Sequence, residues 1–184
     1  NFLLVAVMTT RKYLKTRAEG IYRTWGQIVP GRIVFFVGGK EPYNGHLPVI
    51  ILENITENTY PPQTKSFAML EYVATHFVND YEWFMRSDDD VFVKTDKLER
   101  FLRSVNSSKS LYIGQPGTGT QEETGKLGLH NSAPYCMGGP GVFFTRTTLK
   151  KIRTHLKNCL LNAVTLHEDT ELGRCVQRYA GIAC

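Results

Sequence analysis

The sequence predicts an α/β sandwich, a mostly parallel sheet with helices on its faces, because strand-length apolar runs alternate with helix-length amphipathic stretches along its 184 residues. Two further features agree. The main polar clusters follow directly on apolar runs, where such a sheet gathers its ligands, and the length suits a single domain, residues 1–184. With 42% hydrophobic and 21% charged residues, the composition is that of a globular protein and excludes disorder, collagen and coiled coil.

Residues 2–8 are an apolar run without helical period and read as a strand; the basic amphipathic stretch 12–27 reads as a helix. Residues 33–37 and 49–52 are β-branched and aromatic between glycine and proline signals, giving two more buried strands. Pro61 and Pro62 open a helix whose Phe67, Leu70, Val73, Ala74 and Phe77 recur at helical spacing, with Lys65 near the first turn. Residues 81–86 read as a strand that ends in Asp88, Asp89 and Asp90, ahead of the apolar run 91–93. Thr95 is expected to cap a helix carrying Leu98, Phe101, Leu102 and Val105, and 111–113 to form a strand. The Gly-, Thr- and Pro-rich stretch 114–134 reads as a long functional loop. After Gly138, Gly139 and Gly141 come a strand at 142–144, a helix marked by Leu149, Ile152 and Leu156, and a last helix marked by Leu172, Val176 and Tyr179.

The formal charge is +5. Only Arg146, Lys150, Lys151, Arg153 and Lys157 gather locally, and they read as the solvated face of a helix, so a phosphate or sugar acid is favoured over a nucleic acid as anionic partner. No apolar run approaches the roughly 20 residues that cross a bilayer, and no signal peptide is visible. The abrupt ends read as a domain cut from a longer protein, with any membrane anchor outside it. Cysteines 136, 159, 175 and 184 include no Cys-x-x-Cys pair, and Asn54 and Asn106 each begin a glycosylation sequon. Together they indicate a secretory lumen and disulfides rather than a metal cluster. Three pairings are open, with Cys159–Cys175 preferred.

Three consecutive acids flanked by apolar residues repel one another, and a hard divalent cation such as Mg²⁺ or Mn²⁺ supplies the compensation. On an extended chain Asp88 and Asp90 point the same way and Asp89 elsewhere. A calcium loop starting at Asp88 is excluded by Val93 where glycine is required. An aspartyl-phosphate nucleophile is disfavoured by Phe92 two residues beyond Asp90. His167, Glu168 and Asp169 open the last helix, whose dipole would keep one carboxylate ionised to take a proton from an attacking hydroxyl. Gly138, Gly139 and Gly141 lack the Lys-Ser/Thr of a phosphate loop and read as allowing close approach of a substrate.

These residues resemble, in the same order, inverting β1,3-glycosyltransferases of the fringe and core-1 galactosyltransferase superfamily. The resemblance runs through Thr9-Thr10-Arg11, Thr24-Trp25, Lys65-Ser66, residues 83–90, residues 136–141, Glu168-Asp169 and Gly173-Arg174-Cys175. Within that group the chain is most similar to the amino-terminal half of the chondroitin synthases, through Tyr13, Thr16, Arg17 and residues 60–63, 82–86, 125–127 and 167–169. The resemblance implies a GT-A fold, a UDP-sugar donor, a glycosaminoglycan acceptor, Mn²⁺ and a type II Golgi membrane enzyme with its catalytic domain in the lumen. It implies that Asp88 and Asp90 hold the metal, that Asp169 and Glu168 are catalytic with Asp169 the base, and that Thr9, Thr10, Arg11, Arg17, Lys65, Arg86 and Asp89 contact the donor.

For this group the implied reaction moves glucuronate from UDP-glucuronate in β1,3 linkage to a terminal N-acetylgalactosamine, by in-line displacement without a covalent enzyme intermediate. Arg86 would then partner either the glucuronate carboxylate or the three aspartates, with Lys65 and Arg11 the other candidates for the carboxylate. A galactosyl- or N-acetylglucosaminyltransferase is the alternative, as is a silent glycan-binding subunit, against which the intact aspartates stand. A complex with a homologous polymerising subunit is expected. The group's further metal-ligand histidine would lie downstream of Cys184, so the site reads as incomplete.

Overall fold

The computed structural model describes residues 1–123 and 125–184; residue 124, within the expected loop 114–134, lies outside the described residues. Six strands form one sheet in the order β3 (Val49–Leu52), β2 (Gly31–Gly38), β1 (Leu3–Met8), β4 (Trp83–Asp88), β8 (Val142–Thr145) and β5 (Tyr112–Ile113). The first four are mutually parallel, whereas β8 runs antiparallel to both neighbours. Two short strands, β6 (Pro116–Gly117) and β7 (Tyr135–Cys136), pair separately. The α/β expectation therefore holds, with one antiparallel strand inside the edge that short apolar runs do not announce.

Side-chain alternation along β1 and β2 divides the core. Leu4, Ala6, Val34 and Phe36 face one side, which is covered by α2 (Gln63–His76), α4 (Arg146–Ile152), α5 (Leu156–Leu161) and α6 (Glu168–Ala180). Leu3, Val5, Val7, Ile33 and Phe35 face the other, covered by the broken helix 11–27 and α3 (Thr95–Ser104). The expected single helix over 12–27 is a 3₁₀ turn, a π segment, the short α1 (Glu19–Arg23) and a second 3₁₀ turn. It breaks at Thr24, where the chain turns to bury Trp25, whose indole N–H donates to Val91 O at 3.1 Å.

Other boundaries move as well. The strand expected at 81–86 lies at Trp83–Asp88, which makes Asp88 part of β4. Residues 91–93 form no strand, and Phe92 is 72% exposed. Thr95 is not the cap: it is the first residue of α3, and no side chain caps that helix. The helix marked by Leu149, Ile152 and Leu156 is two, α4 and α5, separated at residues 153–155. Stretch 114–134 contains β6 and short 3₁₀ turns. No described helix is long and apolar enough to cross a membrane.

Because β1 is followed on one side by β2 and β3 and on the other by β4, the connections diverge at the carboxyl ends of β1 and β4, where Met8 pairs with Asp88. A parallel sheet opens its binding crevice at such a point. Helix α6 is fixed beside it by three devices. Cys159–Cys175 ties it to α5, Cys136–Cys184 ties the chain just beyond it to β7, and Gly173 lets it lie directly on Tyr135. A Cβ at Gly173 would stand 2.4 Å from Tyr135 Cβ. Gly173→Ala is therefore expected to destabilise the fold by about 1–3 kcal/mol, read as a lower urea midpoint with unchanged slope.

Candidate active site

The crevice has two lobes that share Tyr60, Pro62 and Asp88. The first, about 370 Å³, is walled by the residues after β1 (Thr9, Thr10, Tyr13, Arg17), by Lys65 from α2, by loop residues Glu57–Tyr60 and by all three aspartates. The second, about 280 Å³, lies between Arg86, Gly138, Gly139 and the α6 start at Leu166–Asp169.

In the first lobe, Asp89 is buried and turned into the protein: Thr9 Oγ1 donates to it at 2.7 Å and Arg17 Nη1 at 2.9 Å. That bond raises the Arg17 pKa. Asp90 is the open carboxylate, 65% exposed at its side chain, with Arg17 3.8 Å away. Asp88 and Asp90 offer hard oxygen ligands to the same lobe, which fits a divalent cation. No group of three or more His, Cys, Asp or Glu side chains is poised for a metal among the described residues, so oxygens from a ligand and water would complete its shell.

Glu57, which no sequence pattern marks, organises the opposite wall. Its carboxylate accepts from Arg11 N, Gly38 N and Lys65 Nζ, the last at 3.0 Å, while Lys65 also donates to Thr9 O. Lys65 thus borders the lobe already paired. Arg11 does not border it: its guanidinium donates to Gly38 O at 3.4 Å and to Glu41 O, so the expected donor contact is replaced by a tether on the loop after β2.

Arg86 forms the floor of the second lobe. It shares a face of β4 with Asp88, two residues on, and that face is covered by α2 and α6. Only 2% exposed, it reaches Asp88 Oδ1 at 2.9 Å, donates to Glu168 Oε2 at 2.9 Å and to Gly138 O at 3.2 Å. Ser66 donates to the other Glu168 oxygen. Burial raises the Glu168 and Asp88 pKa values, against the pull of Arg86. Burial alone would lower the Arg86 pKa, but Glu168 and Asp88 more than offset it and the net shift is upward. The position decides between the two roles expected of Arg86 and corrects the expectation for Glu168. Arg86 is committed to the protein's own carboxylates rather than free for a sugar carboxylate, and Glu168, buried with both oxygens engaged, is a positioning residue.

Asp169 faces the lobe half-buried. Its Oδ2 accepts from Gly138 N at 3.1 Å and its Oδ1 from Thr170 N at 2.8 Å, at the first turn of α6. These two backbone N–H donors hold the Asp169 carboxylate in place at the edge of the lobe. Gly139 leaves open space where a side chain would stand. Gly141 does not line the crevice: it is buried with φ +92°, and a Cβ would meet Met85 Cε at 2.6 Å, so its role is to let the loop pass over β4. Asn54 and Asn106 are exposed, and Asn106 Oδ1 accepts from Ser108 Oγ at 2.7 Å.

A Fringe-like family profile matches residues 1–184. Chondroitin sulfate synthase 3 of Homo sapiens is 51% identical over 100% of this chain and 21% of its own length. Chondroitin sulfate glucuronyltransferase of Homo sapiens is 30% identical over 99% of this chain and 22% of its length. The beta-1,3-N-acetylglucosaminyltransferase lunatic fringe of Mus musculus is 22% identical over 98% of this chain and 50% of its length. The chain spans about a fifth of the length of the two chondroitin proteins.

Removing the cation of the buried triad leaves two carboxylates without their counter-charge. Arg86→Met is expected to cost about 3–5 kcal/mol in urea unfolding, and adding Glu168→Gln to recover part of that loss, the non-additivity reporting the coupling.

Proposed function

Since the chain belongs to the Fringe-like family, we propose that it is a metal-dependent glycosyltransferase unit of chondroitin synthesis. In this reading it transfers glucuronate from UDP-glucuronate, with inversion, to the 3-hydroxyl of a terminal N-acetylgalactosamine. The observation that carries the reading is the two-lobed crevice, with open aspartates in one lobe and the Asp169 carboxylate in the other. The activity named for the glucuronyltransferase relative supports the donor sugar. Two disulfides and two exposed sequons support an oxidising, secretory compartment, which we assign to the Golgi lumen with a type II membrane anchor.

In this mechanism the UDP-sugar occupies the first lobe and the acceptor end the second. Asp88 and Asp90 would hold a divalent cation such as Mn²⁺, which would supply positive charge to offset that developing on the departing diphosphate. Thr9 and Arg17 fix Asp89 and so hold the strand end that carries the two metal-facing carboxylates. Asp169 takes the proton of the acceptor hydroxyl as that oxygen attacks the anomeric carbon. Gly138 N–H keeps its carboxylate aimed into the lobe, and Arg86 with Glu168 sets its distance from Asp88. Exposed Tyr60 stands where the lobes meet.

Incubation with UDP-glucuronate, UDP-galactose or UDP-N-acetylglucosamine and an oligosaccharide ending in N-acetylgalactosamine tests the reaction. Transfer from UDP-glucuronate in β1,3 linkage is expected, and transfer from another donor alone would refute the sugar assignment. Asp169→Asn should lower turnover by about 10²–10⁴-fold while UDP affinity stays near normal. Asp88→Asn and Asp90→Asn should each abolish the Mn²⁺-dependent part of UDP binding in calorimetry, and metal-dependent affinity retained in both would remove them as ligands.

A further inference from the structure

The distribution of charge along the chain is uneven in one place. Between Arg146 and His167 there are five of the 22 lysines and arginines and none of the 17 acids, so the remaining residues carry 17 of each sign. The whole formal excess of +5 therefore sits on α4, the break after it and α5. Leu149, Ile152 and Leu156 bury the inner side of this helical pair, and Lys150, Arg153 and Lys157, each one residue further, are exposed beside it, together with Lys151. Lys150 lies on α4, Arg153 in the break between the two helices and Lys157 on α5. None of these four cations is in an ion pair among the described residues, whereas the exposed arginines of α3 are paired with Asp96 and Glu99.

The topology aims this stripe at the crevice. Because β8 is antiparallel to β4, Thr145 lies opposite Trp83 at the far edge of the sheet, so α4 starts there. The chain returns through α5, which packs on α2 and α6, to Leu166 and His167 in the acceptor lobe, without meeting an acid on the way.

We infer that the exposed face of α4 and α5 is a second binding site, which holds the body of a linear polyanionic glycan whose end occupies the acceptor lobe. The site rests on the proposed function for the identity of its ligand: a polymer with a carboxylate on alternate sugars matches a row of unpaired cations, and counterion release on binding gives the contact a steep salt dependence.

Binding is measured with the full-length protein and three probes. These are unsulfated chondroitin polymer, a trisaccharide with the same terminal sugar, and vesicles of phosphatidylcholine and phosphatidylserine. In K150E/R153E/K157E, all exposed positions away from the crevice, polymer affinity should fall at least about tenfold and the slope of log affinity against log salt should drop by about two, with trisaccharide affinity unchanged. The Gln triple variant should show a smaller loss in the same direction, and it serves if the reversed triple does not fold. Unchanged polymer affinity in the variants, equal losses for polymer and trisaccharide, or no polymer binding by the parent protein overturns the site. Loss of vesicle binding alone overturns it in favour of a membrane surface. The two readings fail separately: polymer binding through the stripe without sugar transfer from any donor refutes the proposed function and leaves the site standing, while transfer with stripe-independent polymer binding refutes the site alone.

Discussion

The crevice depends on one buried cation. Arg86 is excluded from water and could not remain charged in the sheet without partners, so β4, α6 and the glycine loop must all be in place before its guanidinium is satisfied at Asp88, Glu168 and Gly138 O. That requirement fixes the distance between the end of the central strand and the start of the last helix. Nε of the same side chain has no hydrogen-bond partner, so the geometry is set by the two terminal nitrogens alone. Such an arrangement adds little net stability over an apolar core, but it specifies a single relative placement of the elements, which a site with carboxylates in both lobes requires.

The rest of the structure holds α6 to that placement. Two disulfides and a glycine contact fix the helix and its exit, Ser66 from α2 occupies the second Glu168 oxygen, and Gly138 N–H occupies Asp169. Consecutive residues on a helix point about 100° apart, so fixing Glu168 inward necessarily turns Asp169 toward the lobe. The division of labour between the two acids is thus a consequence of helical geometry and not of their chemistry, which is nearly the same.

This is also where the sequence was legible and where it was not. Strand-length apolar runs, the aspartates at the end of β4 and the acids opening α6 follow from local pattern, and they placed both lobes at the carboxyl edge. Long-range pairing leaves no local pattern. An arginine before three aspartates reads equally as a ligand contact or as their neutraliser, and only the approach of Glu168, 82 residues away, decides between them. Glu57 is a lone acid in a loop, and its three donors come from three separate segments. Arg11 sits in a motif that suggests a donor contact, yet its long side chain reaches back to carbonyls beyond β2. The antiparallel direction of β8 is likewise unreadable from four apolar residues, although it determines where α4 begins.

Charge is partitioned between the crevice and the outer helices in a way that suits a polyanionic substrate. Six carboxylates border the two lobes, namely Glu57, Asp88, Asp89, Asp90, Glu168 and Asp169, against the cations Arg17, Lys65 and Arg86, each already paired with one or two of them. In the proposed reaction a diphosphate entering this field would need a divalent cation at the aspartates, and a uronate segment of a polymer would be repelled from the same position. The neutral terminal sugar meets no such repulsion. With its basic charge on α4 and α5 and its acids in the crevice, the protein can attract the body of the chain without filling the donor lobe with it. A basic crevice would attract the polymer and the nucleotide to one place, and the two substrates of the proposed reaction would then compete.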